Sequence, residues 1–132
     1  MPVGSSAVNL ANKWLDMFDA TAFAAPAGTY VKLHTGDPGA AGASNLSSVT
    51  TRPAVTWTAA SGGSKASTGT PSWANWAGAN PEVVTHISVW DAATNGTGHF
   101  LFSAALSASK TINAGDTLNL TSLTYALTPI AA

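Results

Sequence analysis

Two periodicities divide this chain. Over residues 9–19 apolar side chains recur at helical spacing: Ala11, Trp14, Leu15 and Phe18 stand at i, i+3, i+4 and i+7, and Leu10 widens the stripe. Ser5, Ser6 or Asn9 supplies a side-chain oxygen for its start, and Ala24-Ala25-Pro26-Ala27-Gly28 carries the breakers that close the helical region. So short a helix gains its stability from packing. The stripe is therefore read as the cover over one end of a sheet, or else as a face docked on a neighbouring subunit.

From Thr29 onward the period is two. Val31 and Leu33 alternate with Tyr30, Lys32 and His34 until Thr35-Gly36-Asp37-Pro38-Gly39 breaks the strand with turn chemistry. A polar loop follows through Asn45 and Ser48, and Ala54 to Ala59 forms the next strand with Val55 and Trp57 in phase. After the turn Ser61-Gly62-Gly63-Ser64, Lys65 to Gly69 reads as a polar edge strand, and residues 71–78 take no assignment. Glu82 to Trp90 is the clearest strand: Val83, Thr85, Ile87 and Val89 on one face, Val84, His86, Ser88 and Trp90 on the other. An Asn95-Gly96 turn leads to a hairpin partner from His99 to Leu106. Lys110 to Ile112 is a short strand before the Asn113-Ala114-Gly115-Asp116 turn, and Thr117 to Leu127 closes the pattern. About seven to eight short strands with regular turns predict one all-β domain, residues 1–132, built as a β-sandwich of jelly-roll type with a short N-terminal α-helix.

Composition changes this picture in one respect. Charged residues are 8% of the 132, against about 25% in ordinary soluble domains. Ala, Ser, Thr, Asn and Gly take their place, and such a surface suits burial against other subunits. The five cations, Lys13, Lys32, Arg52, Lys65 and Lys110, are scattered, so no basic stripe for nucleic acid exists. Cysteine is absent, which excludes a disulfide framework and a thiolate metal site. The start reads as having no signal peptide, and no apolar run is long enough to span a membrane.

Catalytic and metal readings find little support. His34, His86 and Asp91 with Ser88 or Ser103 can be written as a triad, but no nucleophile elbow accompanies them. His34, His86 and His99 offer three ligands without the short spacing of a zinc motif. The chain is read as having no cofactor, no metal and no catalytic residue. Scarce charge instead marks a structural loop network of His34, Asp37, Arg52, His86, Asp91 and Asp116. In it the carboxylates cap their turns, the histidines bond loop backbone, and Arg52 pairs with Asp37 or Asp91. Of the five tryptophans, Trp14 and Trp57 belong to the core and Trp90 to core or interface. Trp73 and Trp76 lie in a charge-free stretch and are candidate interface anchors or a ligand platform, interface being favoured.

The blocks Val31-Lys32-Leu33-His34-Thr35-Gly36-Asp37-Pro38-Gly39, Arg52-Pro53-Ala54-Val55-Thr56-Trp57 and Ala59 to Gly63 resemble the first half of a family of small phage tail-fibre or minor tail proteins. Val84-Thr85-His86-Ile87-Ser88-Val89-Trp90-Asp91-Ala92 and Leu101-Phe102-Ser103 through Leu118 resemble its second half more strongly. The order and spacing of the blocks cover Asn9 to Leu127, and the chain departs from the pattern at residues 71–80, which carry Trp73 and Trp76. The resemblance implies a non-enzymatic virion component, assembled in the bacterial cytoplasm. It implies burial against copies of itself, as a trimer or higher cyclic state by analogy with fibres, and against other virion proteins. A capsid decoration protein and a module binding a host surface glycan are the alternatives.

Overall fold

The computed structural model describes residues 3–128 and residue 131. Its centre is a four-stranded antiparallel sheet in the order β2–β1–β5–β6, formed by β1 (Thr29–His34), β2 (Ala54–Val55), β5 (Glu82–Trp90) and β6 (Phe100–Ile112). Two antiparallel ribbons accompany it: β3 (Ser64–Ala66) with β8 (Thr124–Ala126), and β4 (Ser72–Trp73) with β7 (Leu118–Asn119). The fold is therefore mostly β with one short N-terminal helical segment. The layer opposite the main sheet is split between the two ribbons.

Strand register assigns the two faces of the main sheet. Val31 pairs with Val89 and Leu33 with Ile87, while Phe102 and Ala104 lie opposite Val89 and Ile87 on β6. These residues make the apolar face, which meets Trp73, Leu123, Leu118 and Tyr125 from the ribbon side in one core cluster. Each fully buried branched side chain there contributes about 1.5–3 kcal/mol. Tyr30, Lys32, His34, His86, Ser88, Trp90 and Ser103 alternate onto the other face. That second face is polar, yet His34 and Ser88 are fully buried and Lys32 is nearly so. Loops, and no sheet, cover it. Gly42 in the first loop comes so close that a Cβ there would stand 2.5 Å from the Phe100 ring, at φ 66°. Only glycine fits that approach.

The alternation predicted for Glu82 to Trp90 holds only in its second half. Between Val84 and His86 on β5 the register breaks: Val84 pairs with Lys110 and His86 with Ala105, so residues 106–109 of β6 bulge out opposite Thr85. Val84 consequently joins the core while Val83 is 44% exposed. The strands expected at His99–Leu106 and Lys110–Ile112 are one continuous β6 across this bulge. Thr117–Leu127 is two strands, separated because they serve different ribbons. The strand expected over 54–59 pairs regularly only at Ala54–Val55, with an isolated bridge from Trp57 to Ser67.

The helical segment runs from Ala7 to Asp19 with three pitches: a π-type turn Ala7–Ala11, a single α turn, α1 (Asn12–Leu15), and a 3₁₀ turn Asp16–Asp19. Of the three possible caps, Ser6 acts, its Oγ accepting the Asn9 N–H at 3.2 Å. The segment ends in left-handed Ala20 and not at the later Pro-Gly breakers. Residues 4–6 just before it run along the outer edge of β6 and accept and donate backbone bonds at Ser103 and Leu101. That covers part of an edge strand that would otherwise be open. Leu10 packs on the core and Trp14 meets the Tyr125 ring edge-on at 5.8 Å. The outer half of the predicted apolar stripe does not pack: Leu15 is 59% and Phe18 88% exposed.

Candidate functional site

The polar face of the main sheet brings together most of the chemistry-bearing residues. His34 and Ser88 come from adjacent strands and lie diagonally, since His34 pairs with His86 and Ser88 with Lys32, and their side chains meet. The His34 ring bonds the Ser44 carbonyl through Nδ1 at 2.8 Å and Ser88 Oγ through Nε2 at 2.7 Å. A carbonyl can only accept, so Nδ1 carries the proton and Nε2 accepts from the Ser88 hydroxyl. Ser88 Oγ in turn accepts the Trp90 indole N–H at 2.8 Å. The proton order is thus set from Trp90 through Ser88 and His34 to the loop backbone. Burial pushes the His34 pKa down; the Ser44 bond opposes this and the Lys32 and His86 charges add to it. The ring is neutral at physiological pH. The pair has the separation of a base and a nucleophile, but neither residue is open to solvent. Chemically the chain of bonds fixes the loop that carries Ser44.

The second cluster lies at the other end of this face. Lys32 Nζ donates to Asn95 Oδ1 at 2.7 Å. Arg52 Nη1 donates to the carbonyls of Ala92, Thr94 and Thr97 at 3.0–3.2 Å, and its guanidinium carbon lies 4.2 Å over the Trp90 ring. The expected pairing of Arg52 with Asp37 or Asp91 gives way to this arrangement. Three loop carbonyls converge on Nη1, and both Asp91 oxygens are taken by His99, one by its backbone N–H at 2.6 Å and one by its ring at 2.9 Å. Asp91 acts on Arg52 only as a nearby charge, raising a pKa that burial lowers. Burial, then the Arg52 charge, lowers the Lys32 pKa as well. Both cations are buried, at 4% and 6% exposure, and neither enters an ion pair among the described residues.

The remaining network residues are dispersed, Asp37 and Asp116 in separate turns and His86 within β5. Asp37 Oδ1 accepts the Gly39 N–H at 2.8 Å, and Asp116 Oδ2 accepts the Asn113 N–H at 2.8 Å. His86 bonds Thr85 Oγ1 through Nδ1 at 2.7 Å. His34 and His86 are register partners, but His99 sits with Asp91 in its own loop. Among the described residues no group of three His, Cys, Asp or Glu draws together around a point where a metal could sit. Sequence reasoning missed Glu82, an 8% exposed carboxylate that binds the Ser47 hydroxyl and the Ser48 N–H at 3.0 Å. Burial would raise its pKa, but the Ser47 and Ser48 bonds outweigh that and hold it below the usual range. The one available signal was an acid at the head of a strand in a chain with few acids.

Trp73 and Trp76, expected as interface anchors or a ligand platform, are instead interior, at 4% and 3% exposure. Their indole nitrogens donate to the Thr51 and Ala79 carbonyls at 3.0 Å. The small residues around them let the chain wrap closely, so the two rings fill the core and hold neighbouring loops. They do form the inner wall of an open groove of about 680 Å³, whose rim is made by Arg52, Ser72, Asn75 and Asn95.

No curated protein matches the chain. The family described as Podophage GP4 fiber I protein gp80 matches residues 5–128, from the segment that edges β6 to the residues just beyond β8. Of the two labels the sequence resemblance carried, that description supports fibre and leaves minor tail protein without support. With nearly its whole length inside this match, the chain belongs to the podophage fibre protein family of gp80.

Proposed function

We propose that the protein is a structural module of a tailed-phage fibre, built to be buried against copies of itself and against other virion proteins, and that it performs no reaction. The observation that carries this reading is the family match over residues 5–128. The surface supports it. Val8, Leu15, Met17 and Phe18 on the helical segment are 72%, 59%, 57% and 88% exposed and add nothing to the core. Charge that would keep such a surface apart from its neighbours is scarce, at 8% of residues. Burial of these side chains in an assembly stabilises it at about 25 cal/mol per Å² of apolar surface.

The test pairs solution mass with location. Light scattering of the purified chain is expected to give a discrete multimer, and Leu15→Ser with Phe18→Ser to shift it toward a monomer that keeps the wild-type circular dichroism spectrum, with a thermal midpoint lowered by the lost association. Density for the chain in the fibre of a reconstructed virion supports the proposal. A monomer at every concentration, or density on the capsid shell alone, overturns it.

A further inference from the structure

An apolar groove of about 410 Å³ lies open beside the helical segment, lined by Leu10, Trp14, Phe23, Trp57, Phe102 and Tyr125. Trp14, Phe23, Trp57 and Tyr125 are half-buried, and the accessible lining is predominantly apolar. Its floor is aromatic. Phe102 meets Tyr125 at 4.5 Å and Trp57 at 6.2 Å between ring centres, and Trp14 meets Tyr125 edge-on. Rings tilted in this way suit a further ring, which packs edge to face or offset. Lys65 is the single charged residue of the lining. It is exposed, and among the described residues its side chain enters no hydrogen bond or ion pair.

The same chain presents a ring that its own fold does not bury. Phe18 is 88% exposed and is the one aromatic among the large exposed apolar side chains of the described residues. Asp16 and Asp19 flank it in the 3₁₀ turn; both are exposed, and among the described residues neither enters an ion pair. We propose that the groove receives Phe18 of a second copy of this chain, with Asp16 and Asp19 of that copy set against Lys65. Ring meets aromatic floor, and two carboxylates meet the lone ammonium, so shape and charge select the same occupant. A cation in the groove would be repelled by Lys65, and an uncharged apolar ligand would leave all three charges unanswered. One ring covers far less than the about 1,200–2,000 Å² that a stable interface buries. The contact is therefore repeated by symmetry, every copy giving one ring and receiving one. Leu15 and Met17, 59% and 57% exposed on the same segment, widen it. The proposal rests on the assembly reading and names the two surfaces that meet.

Thiol trapping tests it, because the chain has no cysteine of its own. Asp19→Cys and Lys65→Cys are made in separate full-length chains, both at exposed positions. A short bismaleimide added to the equimolar mixture is expected to link the two chains, while either chain alone gives little linked product. Charge exchange is the second arm. Asp16→Lys with Asp19→Lys is expected to weaken association about tenfold at low salt, and Lys65→Glu added to the same chain to restore it. Efficient linking of Asp19→Cys to itself overturns the proposal in favour of turn-to-turn packing. A multimer that gives no mixed link, or that Lys65→Glu does not restore, overturns the groove assignment and leaves the assembly reading standing. A monomer at every concentration overturns both.

Discussion

His34 Nε2 and Ser88 Oγ lie 2.7 Å apart between β1 and β5, and the proton between them belongs to the serine. That direction is forced from outside the pair, by the Ser44 carbonyl on one side and the Trp90 indole on the other. Ser88→Ala therefore strands two groups at once, a buried imidazole nitrogen and a half-buried indole N–H. A loss of about 1–3 kcal/mol per unsatisfied group is expected. Urea unfolding monitored by tryptophan fluorescence measures it. A change within experimental error would mean that the bonds contribute nothing net.

The same pair makes stability depend on pH. Burial lowers the His34 pKa in the fold, so below about 6.5, where an unfolded histidine takes up a proton, the unfolded state binds more protons than the folded one. Stability then falls as pH falls. Glu82 and Asp91, both held below the ordinary carboxylate range, act in the same direction. Their contribution is present above the unfolded carboxylate pKa of about 4 and is lost as pH falls through the folded values. Thermal midpoints between pH 7.5 and 5.5 are expected to fall, and His34→Gln to flatten that slope while leaving the steeper loss near pH 4 in place.

Arg52 holds the loop from Ala92 to Thr97 by three carbonyls and one aromatic face. A lysine keeps the charge but has neither the planar fork nor the stacking surface. Arg52→Lys is expected to cost about 1.5–3 kcal/mol, the range for hydrogen bonds to a charged group. Amide exchange should quicken in residues 92–98, with the β1–β5 pairs unaffected. Uniform quickening across the sheet would contradict a local role.

The bulge between Val84 and His86 makes an unequal pair of two adjacent valines. Val84 is fully buried and Val83 is 44% exposed. Val84→Ala is expected to destabilise by about 1–3 kcal/mol and Val83→Ala by less than about 0.5 kcal/mol. Chemical denaturation of the two variants measures both. Unbroken alternation from the first residue of the strand predicts the opposite order, so the comparison reads the bulge directly.

These residues also mark where the sequence was legible. Alternation assigned the two faces of β1 and of the second half of β5, because period-two patterning and pairing agree there, though which strands pair was not legible. Turn chemistry placed Asp37 and Asp116 on the N–H groups they accept, because an Asx-type bond is local. The helical start was likewise within reach of its own neighbours. The ribbons were not legible as such: strands of two or three residues carry no period, and their partners lie far away in the chain.

What the sequence determined by itself was the β class, the position of the helical segment, the scarcity of charge and the spaced blocks that a fibre family shares. All of these are properties of short windows or of composition. Tertiary structure alone decided that Val84 faces in, that Trp73 and Trp76 are interior, that Phe18 is not, and that Arg52 takes carbonyls in place of a carboxylate. Each depends on which distant backbone arrives beside the residue. A bulge is set by the partner strand, a ring is buried by whatever closes over it, and a long cation bonds whichever acceptors converge within its reach.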